Sequence, residues 1–112
     1  MTAPRLNRKL VLERKTELPD GAGGRSEGWQ EVGTLWGEMT PRAGREVQGE
    51  GGALTRSGVR IIVRAAPAGS LARPRVQDRF ASGTRRFEIL AVQEEGPAAR
   101  YLICTAEERA SA

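Results

Sequence analysis

Arg42, Arg45 and Arg56 stand close together in the chain, with only Glu46 and Glu50 as nearby acids. Clustered guanidinium groups suit charge-assisted hydrogen bonding to phosphate. The interspersed acids would keep such contacts weak and salt-sensitive. No helix here could read a groove, so any contact with a polyanion would be made through its phosphates without regard to sequence. The stretch from about 42 to 57 holds Gly44, Gly49, Gly51 and Gly52, with Val47 and Leu54 as its sizeable apolar residues. A connection that long in a small domain is usually either functional or disordered. We read it as the working part of the molecule, mobile in the free subunit. The plain alternative is a solvated surface in a chain that uses sixteen Arg and two Lys.

Other chemistry is largely excluded. There is no histidine, so Ser-His-Asp and Cys-His arrangements cannot be built. Cys104 is the single cysteine, which rules out an intramolecular disulfide and a Cys/His zinc set. It lies in the apolar run Tyr101-Leu102-Ile103-Cys104, where a buried, unreactive thiol is expected. The adjacent acids Glu94-Glu95 and Glu107-Glu108 would point to opposite faces of a strand, a poor acid–base pair. Gly21-Ala22-Gly23-Gly24 lacks the Gly-Lys-Ser/Thr of a phosphate loop and reads as a hairpin turn. No catalytic residue, metal site or cofactor is expected, and the chain is not read as an enzyme.

These residues must be positioned by one domain over residues 1–112, since 112 residues suffice for a single core. The formal charge of +4 is concentrated in the middle. Residues 41–80 hold eight Arg against Glu46, Glu50 and Asp78, whereas residues 1–40 balance six against six. A concentrated positive patch favours polyanions. No apolar run approaches the roughly 18 residues of a membrane span, and no hydrophobic segment follows Met1-Thr2-Ala3-Pro4-Arg5, so synthesis and folding in the cytoplasm are expected.

Period-two patterning predicts an all-β fold: a small six-stranded, mainly antiparallel barrel with little helix. The predicted strands are 9–18, 29–40, 59–64, 76–80, 87–92 and 101–105, with turns at 19–24, 67–70, 81–84 and 94–98. Leu10 and Leu12 share one face, as do Leu35, Gly37 and Met39, and Val59, Ile61 and Val63. The tail at 107–112 is expected to fray. Phe87 and Ile89 would oppose Leu90 and Val92, while Leu102 and Cys104 would oppose Tyr101 and Ile103. Without a helix to cover an outer face, the second set needs neighbouring subunits. Trp36, Leu90, Val92 and Tyr101 are the candidate interface.

The sequence resembles the head–tail joining (head-closure, or stopper) proteins of tailed bacteriophages. The resemblance rests on Leu6-Asn7-Arg8-Lys9, Asp20-Gly21, Trp29, Leu35 to Pro41, Gly44-Arg45-Glu46, Val59 to Arg64, Asp78-Arg79-Phe80 and Phe87 to Leu90. It spans about Leu6 to Thr105 and departs from the family's habit at Arg73-Pro74-Arg75. It implies a subunit that forms a ring of six or twelve copies in the neck of a virion or phage-like particle. Such a ring lies below a portal or adaptor protein and above a tail terminator or tail tube protein. It holds in the packaged double-stranded DNA, and no membrane is involved. The long loop would then gate the channel. Phage-like gene transfer particles use the same parts. A rival reading is a single-stranded nucleic-acid-binding barrel of the OB type. That reading needs stacking aromatics on the basic face, and none of Trp29, Trp36, Phe80, Phe87 and Tyr101 lies within the basic loop.

Overall fold

The computed structural model describes residues 3–19, 21, 23–42, 45–49, 52–67, 69–96 and 98–109. Within the strands, the side chains at 18, 19, 25–27, 45–49, 52–56 and 109 lie outside that description. The strands are β1 (Arg8–Pro19), β2 (Arg25–Pro41), β3 (Arg45–Gly49), β4 (Gly52–Arg64), β5 (Arg79–Ser82), β6 (Arg85–Glu95) and β7 (Tyr101–Arg109). No helix occurs among the described residues. The sheet order is β2-β1-β5-β6-β7-β4-β3, and a further pairing of β2 with β4 closes six strands into a ring. All pairings are antiparallel. Closure satisfies edges that an open six-stranded sheet would leave bare.

The ring encloses rows of registered side chains. Leu12, Phe80 and Phe87 form one row across β1, β5 and β6. Val59, Ala106 and Ile89 form another across β4, β7 and β6. Leu10, Ile61, Val63, Leu102 and Cys104 complete the buried cluster, with Leu35 and Met39 packed against it. Each Leu, Ile or Phe so buried contributes on the order of 1.5–3 kcal/mol. Gly37 is required where β2 passes from β1 to β4. A Cβ there would lie 3.1 Å from the Ile62 carbonyl oxygen and 3.1 Å from Leu10 Cδ1.

Two irregularities redirect the strands. In β2, Gly33 pairs with Leu12 and Glu31 with Glu13, so Val32 is the extra residue. In β6, Ile89 pairs with Ala106 and Ala91 with Thr105, so Leu90 is extra. A bulge of this kind bends its strand and shifts the alternation by one. The second bulge corrects the expected pairing of Leu90 with Val92 on one face. Leu90 is 43% exposed, whereas Val92 pairs with Cys104 and packs against the core. The other alternation holds: Leu102 and Cys104 point inward, and Tyr101 and Ile103 lie on the opposite face.

Strand boundaries also differ from the sequence pattern: β2 begins at Arg25 rather than 29, and β6 spans Arg85–Glu95 rather than 87–92. β5 begins at Arg79, because Val76, Gln77 and Asp78 form the turn into it. Gln77 adopts φ +79° and donates its N–H to the Ile89 carbonyl. β7 continues to Arg109, with Glu108 opposite Ser57, rather than fraying from 107. The connection between β2 and the ring portion of β4 is long, as expected, but its backbone is paired. Arg45 registers with Arg56, Val47 with Leu54 and Gly49 with Gly52. A hairpin whose apolar residues make no core pattern is invisible to periodicity, since backbone hydrogen bonds alone define it.

Cys104 is fully buried. Burial pushes its thiol up to about 12 from an ordinary 9.0, and the negative charge of Asp78 adds to the effect. Thiolate at neutral pH therefore falls roughly a thousandfold. The folded protein is expected to leave a maleimide reagent unreacted over hours and to consume one equivalent once denatured. Native-state mass spectrometry of the alkylated protein checks this.

Candidate functional site

Strand direction sends the two long hairpins from opposite ends of the ring. β3 and the start of β4 extend from the end where β2 finishes, and β1 with the start of β2 extends from the other. Of the predicted gating residues, Arg42 is exposed at the base of the first hairpin, where its N–H bonds the Gly58 carbonyl at 2.8 Å. Arg45 and Arg56 are cross-strand partners in backbone register, with Glu46 the next residue on β3. Their side chains, and Glu50 and Gly44 altogether, lie outside the described residues. At the same end of the ring a bidentate ion pair joins β6 to β7: Arg85 Nε and Nη2 donate to Glu108 at 2.7 and 2.9 Å. That hydrogen bonding holds the Glu108 carboxyl below its usual range, against a smaller opposing effect of burial.

Residues 65–67 and 69–78 lie at the opposite end. The Ala65 N–H bonds the Arg100 carbonyl, and Ala72 Cβ would sit 3.5 Å from a Cβ at Gly33. Arg73, part of the segment that departs from the family's habit, donates to the Ala66 carbonyl at 2.8 Å and to Glu94 at 3.1 Å. Pro74 beside it is buried. Asp78, 3% exposed, receives Arg14 Nε at 3.1 Å and Nη2 at 2.9 Å. It also accepts the Arg75 N–H at 3.0 Å, while Arg14 Nη2 reaches the Arg73 carbonyl. This pair is not readable from sequence, because its partners lie 64 residues apart.

The expected interface residues divide. Trp36 is 54% exposed on the outer wall, beside its register partner Lys9. Tyr101 is half-buried opposite Arg64, and Leu90 is exposed on the neighbouring strand β6. Val92 belongs to the core, as described above. Phe87 is fully buried in the core. Ile62 and Ile103, registered partners on the outer wall, are each 6% exposed.

Periodicity also missed a groove of about 400 Å³ on the outer surface, lined from β1, β2, β5, β6 and β7. Lys15, Trp29, Gln77, Arg79, Arg86 and Glu88 line it, together with Glu107. The Arg79 guanidinium stacks on Trp29 at 3.9 Å from the ring centroid. Glu13 accepts from Arg79 at 2.7 Å and lies 3.5 Å from Arg86. Trp29, a large aromatic in otherwise polar strand sequence, was the one available signal.

The fold is a closed, all-antiparallel ring of six strands with a hairpin leaving each end. Residues 1–109 match the phage head completion protein family, and the chain belongs to that family. It is thereby a structural component of a phage-type head. A solved structure entitled "Virion of native gene transfer agent (GTA) particle" contains a similar chain. The two are 46% identical with a TM-score of 0.86, over 98% of this chain and 100% of the other. No curated protein matches.

Proposed function

We propose that the protein is a head–tail connector subunit of a phage or gene-transfer particle. In this reading it forms a ring under the portal or adaptor, retains packaged DNA and presents a docking surface to the tail. The observation that carries it is the near full-length likeness to a chain of a native virion. The fold suits the role. A closed ring of strands is a rigid support, and hairpins leaving its two ends could face different neighbours.

The β3–β4 hairpin is the proposed gate. It lies in the most basic third of the sequence, and exposed Arg42 marks its base. Contact through phosphates would hold the DNA end weakly enough to allow ejection. Ordering about 16 residues would cost on the order of 16–32 kcal/mol of backbone entropy if they began fully free. Pairing within the hairpin, and contacts between copies around the channel, would offset much of that cost. Deleting residues 44–52 is expected to leave particle docking intact while packaged DNA leaks out. Nuclease protection of DNA in purified particles measures this. Deleted particles that keep their DNA and still deliver it would show that the hairpin is not the gate.

A further inference from the structure

The outward positions of β4 form a basic file. The register of β4 with β7 runs from Arg56 to Arg64 without a shift, and Val59, Ile61 and Val63 belong to the core. Alternation therefore puts positions 56, 58, 60, 62 and 64 on the outer face. Arginine holds the first, the middle and the last of these, over roughly 27 Å at about 3.4 Å per residue.

The flanking strands add to this charge more than they cancel it. Position 56 stands between Arg45 of β3 and Arg109 of β7. Like charges directly opposite one another destabilise a sheet, so an arginine row three strands wide is costly unless an outside anion neutralises it. Exposed Arg42 bonds the carbonyl of Gly58, whose partner on β7 is Glu107. Exposed Arg60 lies between Thr40 and Thr105, and exposed Arg64 lies beside Tyr101. Arg42, Arg60 and Arg64 have no ion-pair partner among the described residues. The acids in register with the file are Glu107, which has an interaction of its own, and Glu38, which accepts the Arg5 N–H at 2.7 Å. Ile62 and Ile103 complete the wall and are already sealed at 6% exposure each, so charge rather than apolar burial would drive a contact here.

We propose that the outer face of β4 is a second phosphate-binding surface, distinct from the hairpin tip, that lies along the packaged duplex. This rests on the connector reading given above and adds to it the face that each subunit turns towards the channel. A duplex carries one charge per roughly 1.7 Å of its axis, so each arginine of the file can meet a phosphate whatever the sequence.

Photocrosslinking in assembled particles tests it. Thr40→Cys places a tethered aryl azide beside Arg60 and leaves every arginine intact, while buried Cys104 stays silent. Illumination should join this site to DNA. The same reagent at Glu88→Cys, exposed on β6 next to Arg79 of β5, should give at most about a tenth of that adduct. Adding Arg60→Gln and Arg64→Gln should lower the Thr40→Cys adduct about tenfold, the order that two phosphate contacts contribute. Equal adducts from the two sites, or an adduct unmoved by the glutamines, would overturn the proposal. Capture of a virion protein instead of DNA would overturn it in favour of a protein interface. Immunogold labelling of the same particles separates it from the reading beneath. Label at the neck with no DNA adduct would overturn the wall and leave the connector standing, and label elsewhere on the particle would overturn both.

Discussion

Asp78→Ala is expected to destabilise the protein by about 3–5 kcal/mol, the usual cost of leaving one partner of a buried ion pair alone. The carboxylate accepts from Arg14 Nε and Nη2 and from the Arg75 N–H. Removing it strands a guanidinium whose side chain is 17% exposed and whose Nη1 has no hydrogen-bond partner among the described residues. The turn that carries Gln77 and leads into β5 loses its tie at the same time. Replacing both residues, Arg14→Leu with Asp78→Leu, should cost less than Asp78→Ala alone, since no isolated charge remains. Urea unfolding of the three chains decides between these outcomes. Equal midpoints for wild type and Asp78→Ala would show that the pair is solvated and contributes little.

The second large effect separates two residues that stand two apart on β6. Val92→Asp should destabilise the isolated subunit by about 2–4 kcal/mol, because a carboxylate is driven against the apolar cluster. Leu90→Asp should change stability by no more than about 0.5 kcal/mol, as for exposed positions generally. In an unbroken strand the two would share a face and respond alike. Here Leu90 is the extra residue of a bulge, and Val92 rejoins Phe87 and Ile89 on the inner side. Thermal unfolding of the two variants measures the contrast. Similar midpoints for both would mean that the bulge does not control which side chain the core receives.

By itself, the sequence determined the all-β class, the six ring strands and most of the inward-facing residues. Leu10, Leu12, Val59, Ile61, Val63, Phe87 and Ile89 sit where alternation places them, because a pleated strand turns every second side chain to one face. It also determined the burial of Cys104, through the apolar run around it, and the resemblance that the family match over residues 1–109 bears out. Tertiary structure alone decided the rest. Ring closure through β2 and β4 depends on a close approach at Gly37, which no local pattern announces. The bulges at Val32 and Leu90 reset the alternation, and the residues before them carry no mark of where an extra residue will fall. The Arg14–Asp78 pair and the groove beside Trp29 join side chains distant in sequence. Their chemistry arises from which strands closure brings together, and that is a property of the folded ring.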